Sequence, residues 1–350
     1  MRPQILLRTL VLAGLGAALC AGLGIPLPFL LGPMFACLIA ALAGLELEGP
    51  PLASNAMRAV LGVAVGASVT PELVGRLGDF ALSVALVPLF VAVIGLIGYP
   101  YFRRICGFDR PTAYYAAMPG GLQDMILFGI EAGGQGRALS LVHATRVLII
   151  VALMPVLLVL LWGLKLDNPP GVPAMDIPLD ELALMALCGL IGWKVAGAVG
   201  LFGAPILGPM IATAPFALGG LIETRPPAEA ILVAQFFIGI GIGTYYVGIT
   251  AAELRRVVVA AAGYCLILAA LALVFAEIAY QGGLAPGVEA ALAFAPGGQA
   301  EMIVLAIVAG ADMTYVVTLH LARLLIVILG APIAMRLTRP SSGKGEVDGS

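Results

Sequence analysis

Charge is scarce in this chain. Lysine, arginine, aspartate and glutamate make up 11% of its 350 residues, and histidine occurs twice. A chain that poor in ions is not an ordinary water-soluble globule. The net charge of −2, without a basic stripe or a polar segment long enough to fold alone, excludes direct reading of nucleic acid. The five cysteines (Cys20, Cys37, Cys106, Cys188, Cys265) fall singly and read as small apolar packing residues. Two histidines without His–His or Cys–His spacing provide no ligand set for a redox metal. No Walker lysine follows a glycine-rich turn, so the glycine runs at Gly62/Gly66 and Gly239/Gly241/Gly243 read as helix packing faces and not as nucleotide loops. Neither a metal nor a cofactor is called for, and an enzyme is not expected.

What is abundant is apolar. Hydrophobic residues reach 61% and the mean hydropathy is +1.08. They come in runs of about 17–25 residues, the length that crosses a hydrocarbon core. The expected fold class is an all-α polytopic membrane protein. The 45 glycines and 25 prolines agree, both being commoner in membrane helices than in soluble ones. Arg2 and Arg8 precede an apolar run ending near Gly24, in the manner of a signal peptide. The run reads instead as a retained first span, because Leu182 to Gly200 takes the same place later in the chain.

That later place belongs to an internal repeat, which organises the whole sequence. Met118-Pro119-Gly120-Gly121-Leu122-Gln123-Asp124-Met125 returns as Ala295-Pro296-Gly297-Gly298-Gln299-Ala300-Glu301-Met302. Each is followed, at the same distance, by a His-x-x-Arg: His143 with Arg146, His320 with Arg323. Leu31-Gly32-Pro33-Met34 matches Leu207-Gly208-Pro209-Met210, and Gly62/Gly66 match Gly239/Gly243. The expected organisation is a membrane repeat over 1–164, a Pro- and Asp-bearing linker over 165–181, a second repeat over 182–339 and a disordered polar tail over 340–350.

Lysine and arginine placement orients the chain. Arg2, Arg8, Arg336, Arg339 and Lys344 put both termini in the cytoplasm, and the acidic linker prefers the outside. That needs an odd number of crossings per repeat. Five crossings in each, with the Pro-Gly-Gly stretch dipping in and returning, also puts Arg103, Arg104, Arg110, Arg255 and Arg256 inside; Arg76 and Arg225 run against it. The expected architecture is therefore about five plus five spans, inverted, in a bacterial inner membrane.

Proline followed by two glycines opposes a continuous helix, at about 3 kcal/mol for the proline and about 1 for each glycine. Irregular backbone at membrane depth is buried in protein or lines a cavity, and paired broken helices in inverted repeats point to a transporter's central site. Pro119, Gly120, Gly121, Pro296, Gly297 and Gly298 are thus candidates for a solute site, beside the alternative of tight helix crossings. Asp124 and Glu301 fall in the first turn after each break and are candidates for proton or ion coupling, or for simple caps. His143 and His320 join them as proton carriers. Arg146 and Arg323 sit on the same helical face as the histidines. Each needs a partner, with Asp124 and Glu301 the natural ones, and each could bind an anionic solute. Lys194, unmatched in the first repeat, reads as snorkelling to the membrane surface. Tyr99, Tyr101, Tyr114, Tyr115, Trp162, Trp193, Tyr245, Tyr246 and Tyr280 lie near segment ends and read as interfacial anchors.

With these duplicated boxes the chain resembles the bacterial membrane family called AbrB, over nearly its whole length. The resemblance implies a bacterial inner-membrane protein. Members carry the labels of gene-expression regulator or "ammonia monooxygenase"; the second finds no metal ligands in this chain. The family is also similar in architecture to transporters with inverted repeats. The function expected is secondary transport of a small, anionic solute with proton coupling. An indirect membrane regulator is the alternative, and a monooxygenase comes last. Membrane lipid, an unidentified small solute and further copies of the chain are the compatible partners.

Overall fold

The computed structural model describes residues 2–337 other than 72–74, 76, 167 and 202. Arg76, Asp167, Arg339, Lys344 and the tail expected at 340–350 lie outside the described residues, as does the side chain of Arg336. Among the described residues the chain is helical, without strands. Before the linker come α1 (Pro3–Gly22), α2 (Pro28–Leu42), α3 (Pro51–Gly66), α4 (Ala81–Ile105), α5 (Arg110–Ala117), α6 (Leu122–Glu131) and α7 (Gly136–Trp162). Then come α8 (Leu179–Ala198), which begins within the last residues of the expected linker, α9 (Ala204–Leu218), α10 (Ala228–Thr244), α11 (Ala251–Gln281), α12 (Gly287–Phe294), α13 (Gln299–Ala309) and α14 (Met313–Leu337). Prolines open α1, α2 and α3, where a missing N–H costs nothing.

Among the described residues six helices are long and apolar enough to cross a membrane: α1, α4, α7, α8, α11 and α14 over Met313–Met335. The helices α2, α3, α9 and α10 are only 15, 16, 15 and 17 residues long, at or below the short end of the expected runs. Glycines in the left-handed region follow the ends of two of them: Gly44 at φ +83° after α2, and Gly220 at φ +68° after α9. Helices of that length reach about 22–26 Å, short of a core about 30 Å thick.

Glycine sets how closely these short helices approach their neighbours. A β-carbon at Gly16 of α1 would collide with the Gly32 carbonyl of α2, and Gly192 of α8 stands likewise against Gly208 of α9. So the glycines of the Leu-Gly-Pro-Met boxes serve helix crossings. Gly62 and Gly66 of α3 rest on the Ile206 and Met210 carbonyls of α9, while Gly239 and Gly243 of α10 rest on the Leu30 and Met34 carbonyls of α2. These are the packing faces expected of them, and each joins one half of the chain to the other.

Two further pairs run antiparallel across the halves. In α4 and α11, Phe90 packs on Phe275, and eleven residues later Tyr101 stacks on Tyr264. In α3 and α10, Gly241 faces Ser54 and Thr244 faces Gly49 just before α3. Phe294 of α12 closes an aromatic cluster with Phe90 and Phe275.

Two of the expected interfacial anchors are core residues. Tyr115 and Tyr246 are fully buried, because nearby helices supply partners: the Tyr246 hydroxyl donates to Thr145 Oγ1 at 2.9 Å, and Tyr115 packs against Tyr114 and Phe128.

Candidate functional site

Each Pro-Gly-Gly breaks a helix in the same way. Between α5 and α6 the backbone is extended at Met118 (ψ 132°) and Gly121 (ψ 141°); between α12 and α13 it is extended at Ala295 (ψ 128°) and Gly298 (ψ 148°). Pro119, Gly120, Pro296 and Gly297 are buried, and Gly121 and Gly298 partly so. The glycines make room for the methionine of the same box. A β-carbon at Gly120 would lie 2.7 Å from Met125 Cε, and one at Gly297 the same distance from Met302 Cε.

The break leaves carbonyls without donors, and the arginines supply them. Arg146 of α7 donates from Nη1 to the Met118 carbonyl at 3.0 Å and from Nη2 to the Gly120 carbonyl at 2.8 Å. Arg323 of α14 donates to the Ala295 carbonyl at 2.8 Å and the Gly297 carbonyl at 3.4 Å. The expected ion pairs with Asp124 and Glu301 are not formed; among the described residues no carboxylate lies within ion-pair distance of either arginine. The reason is local. A guanidinium fork matches two carbonyls at the negative end of a half-helix, while a carboxylate is best placed at the positive end of the next. Asp124 and Glu301 occupy that position, in the first turns of α6 and α13, each close to its own backbone N–H.

The histidines lie one turn before the arginines, both buried. His320 Nε2 hydrogen-bonds the Leu292 carbonyl at 2.9 Å. His143 faces the Tyr115 carbonyl in the equivalent place without closing a hydrogen bond of normal geometry. A second matched contact ties each broken helix to the helix after it: Gln135 N–H donates to Thr112 Oγ1 at 2.8 Å, and Asp312 N–H to Glu289 Oε1 at 3.3 Å.

The two breaks differ in their surroundings. Glu301 is buried and Arg58 of α3 stands within electrostatic reach of it; Asp124 is partly exposed. At the first break, Arg146 Nε and both ring nitrogens of His143 are buried without a hydrogen-bond partner in the protein. The two arginines are near enough to repel one another.

Sequence reasoning missed three residues. Arg58 stands where the second half has Gln235, a break in symmetry like that of Lys194, and could have been found by the same comparison. Gln235 is itself buried, with Oε1 unpartnered. Tyr264 donates to the Ala117 carbonyl at 2.8 Å, walling the first break, and Gly98 leaves space for its hydroxyl. Its place in mid-span, away from the ends where tyrosine anchors sit, was the available signal. Lys194 is exposed, 5.7 Å from the Trp193 ring, and belongs to no site.

The family model described as "Transition state regulatory protein AbrB" matches residues 29–339. "Uncharacterized protein YhjN" of Bacillus subtilis (strain 168) is 27% identical over 302 residues, 81% of this chain and 78% of the relative. "Putative regulator AbrB" of Escherichia coli (strain K12) is 26% identical over 324 residues, 89% of this chain and 90% of the relative.

Proposed function

The chain belongs to the AbrB membrane family, and from that premise we propose a secondary transporter of the bacterial inner membrane whose solute site lies at the first helix break. The observation that carries the proposal is the buried Arg146 Nε, left without a partner, beside a His143 ring that closes no hydrogen bond of normal geometry. A buried donor without a partner is costly in a protein interior; a polar, anionic solute would accept from Arg146 Nε and from the N–H of the His143 ring. Arg146 retains Nε for that role while its two terminal nitrogens hold the backbone open. Asp124, partly exposed in the next turn, is the coupling carboxylate of this reading. His320, Arg323 and Glu301 keep the second break in shape.

The antiparallel packing of α4 on α11 and of α3 on α10 supports inverted repeats, since each pair occupies equivalent places in the two halves. Ten crossings then comprise the six long helices with α2, α3, α9 and α10, and the broken pairs α5/α6 and α12/α13 re-enter. Both termini and the arginines of α4 and α11 face the cytoplasm in this arrangement, and no catalysis is invoked.

A ligand-stabilisation screen tests it. Purified protein is melted with a panel of small anions and neutral metabolites, beside His143→Gln and Asp124→Asn. A bound solute at 100 times its dissociation constant adds about 2.7 kcal/mol to the folded state. A shift diminished in His143→Gln nominates the solute for proteoliposome flux, where Asp124→Asn is expected to abolish proton dependence. The alternative, an indirect regulator without transport, draws on the name of the Escherichia coli relative. It gains if no compound shifts a folded protein.

A further inference from the structure

Two π-helical turns lie at the same end of the antiparallel α4/α11 pair, and each carries a pair of arginines. Arg103 and Arg104 belong to Tyr101–Ile105, the last turn of α4; Arg255 and Arg256 belong to Leu254–Val258, near the start of α11. The Tyr101 hydroxyl donates to the Ala260 carbonyl at 2.9 Å, and Arg256 reaches the Gly107 carbonyl at 3.5 Å. Beside them opens a cleft of about 230 Å³, walled by Phe108, Gln135, Arg137, Glu253, Arg256 and Val257.

The charges in this wall are unequally matched. Arg137 is held by Glu253 at 3.1 Å. Arg256 lies over the Phe108 ring, 6.0 Å from its centroid, and among the described residues has no carboxylate within ion-pair distance. Arg103, Arg104 and Arg255 are exposed on the same turns. Next to them are apolar side chains that no protein covers: Ile105 is 77% exposed and Leu254 38%. Cation and hydrocarbon thus alternate at the end of two membrane-length helices, where lipid headgroups meet acyl chains.

We propose that this cleft binds the phosphate headgroup of an anionic phospholipid, with the acyl chains lying against Ile105 and Leu254. Guanidinium forks match phosphate oxygens, and basic groups at a span's end concentrate anionic lipid. Arg256 is the principal phosphate contact, with Arg255, Arg103 and Arg104 adding long-range attraction. The bonded pair Arg137–Glu253 shapes the floor.

The test uses the full chain in neutral detergent, melted with phosphatidylglycerol, with phosphatidylcholine and with inorganic phosphate. Phosphatidylglycerol is expected to raise the melting point well above the phosphatidylcholine value. Its affinity should fall about fivefold in Arg256→Gln and stay unchanged in Arg2→Gln/Arg8→Gln. Equal shifts from the two lipids overturn the proposal. So does a shift with inorganic phosphate as large as that with phosphatidylglycerol, which would assign the cleft to a soluble anion. Should Arg256→Gln fail to fold, Arg255→Gln and Arg103→Gln/Arg104→Gln carry the same comparison, and an undiminished lipid preference in those folded variants overturns it.

Discussion

Arg58 of α3 stands within electrostatic reach of Glu301 of α13, so a cation from the first half of the chain faces the acidic residue of the second half's break. Asp124, the matching acid, is partly exposed. The repeated sequence therefore carries two unequal carboxylates, one buried within electrostatic reach of a cation from the opposite half and one partly exposed.

That inequality predicts a stability difference. Glu301→Gln removes a buried carboxylate that Arg58 attracts from beyond ion-pair distance and should cost about 1 kcal/mol more than Asp124→Asn, which should be near neutral. A double-mutant cycle with Arg58→Gln should show about 1 kcal/mol or more of coupling to Glu301 and none to Asp124. Thermal or denaturant melts in detergent measure the three single and two double variants, and equal coupling of Arg58 to the two acids would remove the asymmetry.

The arginine caps predict a graded loss. Arg146→Gln leaves the Met118 and Gly120 carbonyls buried without charged donors, and should destabilise by about 2–4 kcal/mol. Arg146→Lys keeps the charge but cannot bridge two carbonyls at fork spacing, so it should fall between. A lysine variant as stable as the native chain would show that charge alone suffices there.

Glycine spacing gives a contrast within one helix pair. Gly32→Ala drives a β-carbon into the Gly16 and Ala17 backbone and should cost about 1–3 kcal/mol. Gly14→Ala has open space around it and should be neutral or stabilising by up to about 1 kcal/mol. Melting both variants checks it, and equal behaviour would refute the close α1/α2 crossing.

Glu181 is a buried carboxylate that receives the N–H groups of Glu223 and Thr224 and the Thr224 hydroxyl, at 2.7–2.9 Å. Glu181→Ala should release the loop after α9 at a cost of about 2–3 kcal/mol. Hydrogen exchange at Glu223 and Thr224 is the direct readout, and unchanged protection there would show that other contacts hold the loop.

Asp109 caps α5 from outside the spans. Burial raises its pKa, but hydrogen bonds from the Thr112 backbone and hydroxyl and from Gln135 outweigh that and hold it below the ordinary carboxylate value. A depressed folded pKa contributes stability above the unfolded value of about 3.9, lost as pH falls through the folded one. The melting-point gap between the native chain and Asp109→Asn should therefore shrink below about pH 4. A gap that is constant across that range would mean the capping geometry, and not the charge, is what stabilises α5.

The sequence by itself determined the helical membrane class, the place of both breaks and the glycine contact faces. These depend on properties a residue carries anywhere: apolar transfer energy, a proline without a donor, a glycine without a β-carbon. It also placed His143 with Arg146, and His320 with Arg323, on single faces, because helical period needs no partner. Only the tertiary structure decided what those faces meet. Carbonyls and carboxylates are both good acceptors for a guanidinium, and spacing cannot rank two acceptors whose distance depends on how helices dock. Arg58 was legible as a break in the repeat, opposite Gln235, but that it faces Glu301 was not; the same reason turned Tyr115 and Tyr246 inward. Near a segment end, a tyrosine is an anchor or a core residue according to what packs over it, and that is a fact about the other half of the chain.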